Sequence, residues 1–239
     1  MNPNYADIFA VRGHNYHQAM QREPAARACE FESLFTKFAP RTGERVLDFP
    51  AGGGYLAGYL DPGVDVVGLE LAPFGGNVPV HDPSERWAWG NFDHCVCLAA
   101  LHHIDDQRGF VASLLDKLVP GGILHVADVA AESPIRDFLD GFVGRYNLTG
   151  HRGQYLAGDG NALVGVGKLR RIETLPCPWQ FADESSMLAF CSDLFGLVDC
   201  PPEALRDALA KHVGIVHQDG TVQLAWELLY IDIEREQAR

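Results

Sequence analysis

Apolar residues fall along this chain in short blocks, divided by glycine, proline and acidic residues. Residues 46–49, 64–70, 92–98 and 123–129 are near-continuous apolar runs of strand length. Strands buried on both faces of a parallel sheet read this way. Between them, residues 54–60 and a stretch through Leu114, Leu115 and Leu118 carry the helical pattern. Residues 78–80 predict a short third strand ahead of His81 and Asp82, and residues 169–175 alternate weakly as a sixth. The final segment, 221–233, sets Val222, Leu224, Trp226, Leu228 and Tyr230 on one face behind the turn signal Asp219-Gly220. Strands alternating with helices give an α/β fold. The expectation is a seven-stranded, mostly parallel sheet with helices on both faces and an antiparallel last strand.

The flanking regions are helical in pattern. Residues 24–35 have proline near their start and place Ala28, Phe31, Leu34 and Phe35 on one face. Upstream, Arg12-Gly13-His14-Asn15-Tyr16-His17 is dense in polar and aromatic groups. It reads either as a surface helix or loop whose rings pack down, or as a flap over a ligand pocket with Tyr16 or His14 lining it. Residues 1–45 are thus a helical N-terminal cap, and 46–239 an α/β domain. Ser133-Pro134 opens a helix, and residues 146–155 resemble a pocket rim. Helices at 182–194 and 202–213 form an insertion over about 180–220, ahead of the last strand. It either covers the sheet's ligand edge or mediates an oligomer, a homodimer being one form.

Composition narrows the function. The chain has 239 residues, 47% hydrophobic and 21% charged, enough for one large domain with a substantial core. It has no apolar run long enough to span a bilayer, and residues 1–7 lack the basic and apolar regions of a secretion signal. The expected location is cytoplasmic, with no membrane partner. A formal charge of −13 and the lack of a dense basic run argue against nucleic acid and for a small-molecule substrate. Lys168-Leu169-Arg170-Arg171 reads as the solvated side of a strand. The six cysteines lack zinc-type spacing and are expected to be structural and reduced.

The chemistry centres on residues 46–57, a buried strand that runs into a glycine turn and a helix start. Gly52 and Gly54 let the backbone turn tightly and approach a ligand closely. Such a turn holds nucleotide-like ligands in open α/β sheets. Gly52-x-Gly54-x-x-Ala57 also fits a dinucleotide pattern. Asp48 at the strand end would repel a pyrophosphate and suits a ligand with cationic groups. Asp48-x-Pro50-x-Gly52-x-Gly54 resembles motif I of class I S-adenosylmethionine methyltransferases, with Pro50 replacing the first glycine. Proline excludes positive φ at that position.

Glu70 ends the second strand 22 residues after Asp48, so the strand–helix–strand unit brings it to the same sheet edge, where a carboxylate can accept both ribose hydroxyls. Phe92-Asp93 running into Leu101-His102-His103-x-Asp105 resembles the family's fourth motif, and Leu118-x-Pro120-Gly121-Gly122 the turn before its fifth strand. The resemblance covers about residues 46–130. It implies S-adenosyl-L-methionine as cofactor, held by Asp48, Pro50, Ala51, Gly52, Gly54, Glu70, Leu71, Asp82 and Leu98. Asp82 would take the adenine amino group, with a helix N-cap as its competing role.

Methyl transfer needs alignment and exclusion of water more than it needs a catalytic group. A general base is expected among the histidines. His103 and Tyr16 are the catalytic candidates, with a packing or cofactor-wall role as the alternative for His103. His14, His17 and His151 lie in the flap and rim, and His125 reads as a hydrogen-bonded core residue. No metal is expected, and His102-His103-x-Asp105-Asp106 is read as a chance grouping. The function expected is methyl transfer to an oxygen or nitrogen of a small metabolite. The alternatives are a non-catalytic S-adenosylmethionine-binding partner protein and a nicotinamide-dependent oxidoreductase.

Overall fold

The structure, a computed structural model, describes residues 5–74, 77–82 and 85–237. The chain opens with α1 (Tyr5–Arg22) and α2 (Ala28–Leu34). In α1, Tyr5, Ile8, Phe9, Arg12, Ala19 and Met20 are buried, an i, i+3, i+4, i+7 stripe that faces the sheet. Gly13 lies on this stripe, where a Cβ would come within 2.8 Å of the Phe74 carbonyl oxygen. The stretch 12–17 is therefore helical, and its side toward the sheet is closely docked.

The central sheet is built from β1 (Arg45–Asp48), β2 (Asp65–Gly68), β3 (Phe92–Leu98), β4 (Leu118–Asp128), β5 (Lys168–Pro176) and, after the elements below, β9 (Glu227–Glu234). Its order is β2-β1-β3-β4-β9-β5. The β2–β1, β1–β3 and β3–β4 pairs are parallel, and β9 runs antiparallel between β4 and β5. β1, β3 and β4 are strongly apolar and buried on both faces, as their sequences require.

Among the described residues the sheet has six strands, one fewer than the seven expected. The segment around Val80 contributes only a single bridge to Glu70, through Glu70 N–H to Pro79 O at 2.9 Å and His81 N–H to Glu70 O at 2.7 Å. Pro79 has no N–H to extend the ladder, and Val80 is exposed. A second difference follows the glycine turn, where a 3₁₀ turn at Leu56–Tyr59 replaces the expected helix.

Past β3 come α3 (Gln107–Leu115) and β4, so Leu118 begins a strand and does not belong to the helix. After β4 come α4 (Pro134–Asp137), a π turn at Phe138–Val143 and α5 (Gly144–Tyr146). Ser133 caps α4 by accepting from Ile135 N–H at 3.3 Å. The segment between β5 and β9 holds β6 (Trp179–Phe181), α6 (Glu184–Leu194), α7 (Pro202–His212), β7 (Ile215–Gln218) and β8 (Thr221–Leu224). Its strands form a separate sheet in the order β6-β8-β7. The expected final strand is therefore two strands that break at Ala225-Trp226, although Val222, Leu224, Trp226, Leu228 and Tyr230 are all buried. No helix among the described residues is long and apolar enough to cross a membrane. All six cysteines are free thiols.

Candidate functional site

The backbone leaves β1 at Asp48, passes the cis Phe49–Pro50 bond, and turns through positive φ at Gly52 (58°) and Gly54 (79°). The positive-φ positions fall on glycines, so Pro50 is accommodated. Gly52 N–H donates to Glu70 Oε1 at 2.5 Å, which ties the turn to the tip of the neighbouring strand. The Tyr5 hydroxyl donates to the same oxygen at 2.9 Å, and Leu71 N–H donates to Oε2 at 2.8 Å. Glu70 is fully buried. Burial pushes its carboxyl up to about 7, against the hydrogen bonds from Tyr5, Leu71 and Gly52. Asp48 is 5% exposed, and burial, then the Glu70 charge, push its carboxyl well above the usual carboxylate range. Neither carboxyl has a salt-bridge partner among the described residues. Two acidic groups buried together without a counter-charge form a site that a cationic ligand would relieve.

The tips of β1, β3 and β4 open onto a pocket roofed by α1, which includes Asp48, Gly52 and Leu98. Tyr5, Phe9, Arg12 and Tyr16 succeed one another on one helical face and all line it. Arg12 is 8% exposed, and its Nε and Nη1 hydrogens find no partner. Burial lowers its pKa to about 10, so the guanidinium is still charged at neutral pH. The Tyr16 hydroxyl accepts a hydrogen bond from Arg27 Nη1. Burial, opposed by Arg27, raises the Tyr16 pKa, so it stands as a neutral hydroxyl. Arg27 pairs with Glu30 at 2.5 Å, and Glu30 accepts from Trp179 Nε1 at 2.5 Å, which closes the far wall.

The opposite end is built from histidines. His102 and His103 lie in the 3₁₀ turn after β3, and Asp128 ends β4 beside them. Asp128 accepts from His102 Nδ1–H at 2.7 Å, His102 N–H at 2.9 Å and Val129 N–H at 2.8 Å. His151, from the loop after α5, donates from Nδ1 to Asp140 Oδ1 at 3.0 Å. The same oxygen accepts from Gly153 N–H at 2.9 Å and the Tyr155 hydroxyl at 2.8 Å. Burial pushes Asp140 upward, but these bonds outweigh it and hold the carboxyl below its ordinary range. His103 has no carboxylate partner, and burial, then His102 and His151, push its pKa well below the ordinary value. Burial likewise lowers His151 to about 4. His102, His103 and His151 are all buried and all line the pocket.

The structure gathers most of the expected residues and separates a few. Asp48, Pro50, Ala51, Gly52, Leu98, Tyr16 and His103 share the pocket wall. Gly54 lies on the exposed side of the turn, and Leu71 meets Glu70 only through its backbone. Glu70 sits beneath the glycine turn, covered by Tyr5. Asp82 is exposed and away from the pocket wall, next to Pro83 and Ser84, which lie outside the described residues. His14 is exposed on the outer face of α1, and His17 bonds the Tyr55 hydroxyl at 2.9 Å. The grouping at 102–106 comes apart: Asp105 accepts from Gln154 and Asp106 caps α3. Tyr5, Asp128 and Asp140 escaped the sequence reading, and Arg12 entered it only as part of the polar and aromatic stretch 12–17. Of the three missed, only Asp128 had a local signal, a carboxylate at a strand tip like Asp48.

The residues present fit S-adenosylmethionine. Asp48 and Glu70 are acidic groups suited to its cationic and ribose portions, and the N–H groups of Arg12, unpartnered among the described residues, suit its carboxylate.

Comparison with known proteins agrees. Residues 16–175 match the family model described as a methyltransferase domain. An uncharacterised Synechococcus protein is 49% identical over 112 residues, a match spanning 37% of this chain and 26% of that protein. Among solved structures, a putative methyltransferase from Bacillus halodurans has a TM-score of 0.58 at 20% identity, covering 87% of this chain and 99% of its own. A Haloferax volcanii putative methyltransferase, solved in complex with the Trm112 activator, has a TM-score of 0.62 at 13% identity, with 98% and 99% covered. A Burkholderia thailandensis 1,6-didemethyltoxoflavin N1-methyltransferase, solved with S-adenosylhomocysteine, scores 0.53 at 15% identity over 94% of this chain and 85% of its own. With a family match over residues 16–175, a sheet whose last strand runs antiparallel between β4 and β5, and an acidic berth at the glycine turn, this chain belongs to the class I S-adenosylmethionine-dependent methyltransferases.

Proposed function

We propose that the protein transfers a methyl group from S-adenosylmethionine to an oxygen or nitrogen of a small molecule. When bound, the cofactor supplies a methyl group already activated on sulfur. Asp48 and the Gly52 turn hold its charged and ribose portions, with Glu70 acting once Tyr5 yields its place. Arg12 takes its carboxylate. The pocket walls exclude water, and the imidazoles of His102, His103 and His151 border the space left for the acceptor, with burial favouring the neutral ring at His103 and His151. His103 lacks the carboxylate that would strengthen it as a base. The observation that carries this reading is the continuity of one pocket from Asp48 and Gly52 to the histidines beneath the roof of α1. A roof over the acceptor end suits a molecule that is swallowed whole. A polymer needs an open groove.

The test has two stages. Calorimetric titration should show S-adenosylhomocysteine binding at one equivalent and no heat from NAD. Methyl-labelled cofactor incubated with the protein and a fractionated cell extract should then label the low-mass fraction. Label confined to precipitated protein or nucleic acid would overturn the small-molecule reading, and binding of NAD alone would overturn the enzyme class.

A further inference from the structure

We propose that His102, His103 and His151 form a binding site for one divalent transition metal ion at the inner end of the pocket. One ring nitrogen from each residue lies within 4.8 Å of those of the other two, and all three side chains are buried. The ring centroids are 4.0 Å apart for His102–His103, 5.4 Å for His102–His151 and 5.0 Å for His103–His151. Imidazoles bound tetrahedrally at about 2.1 Å place their ring centres about 5 Å apart. Two of the separations already meet that value, and the adjacent pair needs to open by about 1 Å.

The hydrogen bonds around the cluster supply an independent observation. A carboxylate only accepts, so Asp128 and Asp140 fix the Nδ1 hydrogens of His102 and His151. In the neutral ring this makes Nε2 the nitrogen with a lone pair to offer. Asp128 is itself held by two backbone N–H groups, and Asp140 by Gly153 N–H and the Tyr155 hydroxyl, so neither ring is free to turn over. Carboxylates that orient histidines and raise their basicity in this way form the outer layer of metal centres. Ring nitrogens of three buried histidines gathered this closely can share one cation. The two carboxylates, with Asp48 nearby, also offset the charge of a dication beside Arg12.

Three imidazoles with no thiolate and no directly facing carboxylate favour Zn²⁺, Co²⁺, Ni²⁺ or Fe²⁺ over Mg²⁺ and Ca²⁺. A site with three protein ligands keeps an open position. Because all three histidines line the pocket, the oxygen or nitrogen of the acceptor would be the group to take it. This use rests on the methyl-transfer reading, whereas the metal site itself does not. It also departs from the sequence expectation of no metal, which weighed His102 and His103 against Asp105 and Asp106 and had no means of bringing His151 to them.

The test uses the full chain stripped with chelator and then dialysed. Zn²⁺ is titrated by calorimetry and Co²⁺ by its visible absorption, with S-adenosylhomocysteine binding measured in parallel. The expected result is one equivalent of metal with a micromolar or tighter Kd and a four-coordinate Co²⁺ spectrum. His151→Ala should weaken binding at least 100-fold, and Asp140→Asn should weaken it about 10–100-fold through the loosened ring. His217→Ala, at an exposed histidine on β7, should leave stoichiometry and affinity unchanged. Should His151→Ala fail to fold, Asp140→Asn and the wild-type spectrum carry the test. Absence of a stoichiometric site in the wild type, or binding indifferent to both pocket variants, overturns the proposal. Because S-adenosylhomocysteine is measured separately, loss of the metal site and loss of the methyltransferase reading are distinguishable.

Discussion

Two histidine clusters, one within the sheet and one beyond its strand tips, use similar residues to opposite ends. In the first, His94 Nδ1 meets His125 Nε2 at 3.0 Å, and His125 Nδ1 meets Asp232 Oδ1 at 2.8 Å. Arg171 then pairs with Asp232 at 2.9 Å, and His94 reaches Glu44 at 3.3 Å. Every ring is committed at both nitrogens or packed face to face, and the chain of contacts spans β3, β4, β9 and β5. In the second cluster, His102 and His151 are each anchored by a carboxylate through one nitrogen only, and the other side borders a pocket. Closed networks fasten strands together, whereas half-committed ones keep chemical capacity in reserve. Burial alone does not separate the two, because both clusters are buried.

Breaking the closed cluster should have the largest effect. Asp232→Ala leaves Arg171 buried without its partner and should cost about 3–5 kcal/mol in urea unfolding. The S-adenosylhomocysteine affinity of the folded fraction should stay within about twofold. A large loss of affinity in that variant would mean that the two clusters communicate through β4.

Asp48→Asn should invert the pattern. Replacing a buried carboxyl that has no salt-bridge partner among the described residues should raise the ligand-free Tm by about 2–4 °C, equivalent to about 1 kcal/mol. Cofactor-product affinity should fall by about 1.5–3 kcal/mol, the worth of a charged hydrogen bond. Calorimetry and thermal melts on the same sample check both signs.

The Glu70 carboxyl, pushed up to about 7 by burial, gives a pH dependence. In the proposed role its ionised form would accept ribose hydroxyls and attract positive charge, so protons would compete with the ligand below pH 7. Affinity for S-adenosylhomocysteine should rise about tenfold from pH 6 to pH 8, as the ionised fraction grows. Glu70→Gln should flatten that slope and bind more weakly at pH 8. The same raised pKa works the other way on the ligand-free fold: its contribution to stability is present below the unfolded value near 4.5 and is lost as pH rises through about 7. The smallest effect belongs to Tyr5→Phe, which frees Glu70 Oε1 from its hydroxyl donor. Binding should tighten about two- to fivefold, within the net value of one hydrogen bond. Weaker binding would mean that Tyr5 serves the ligand and does not stand in its way.

The acidic end was legible in the sequence because its signals are local. Asp48, Gly52 and Glu70 sit at the ends of apolar runs, and the strand–helix–strand unit requires them to meet. The strands buried on both faces were legible for the same reason. The third strand failed on one residue, Pro79, whose missing N–H stops the ladder. The first helix shrank to a turn because Gly52-Gly53-Gly54 and Pro62 leave few residues able to hold helical geometry. The histidine end was only half visible. His151 joins His102 and His103 through the path of the loop after α5, and Asp140 reaches it from the π turn. Nothing in the local pattern of 146–155 states that distance. Arg12 was visible as part of a polar-aromatic stretch, but its solitude is a property of the packed molecule.

The contact at Gly13 sets a dimension. With the Phe74 carbonyl so near, the leading helix rides at a height that tolerates no extra methyl group. A larger residue at that place would have to lift the helix or displace Phe74, and both line the pocket. The size of a single hydrogen at that position thereby bears on the headroom beneath the helix.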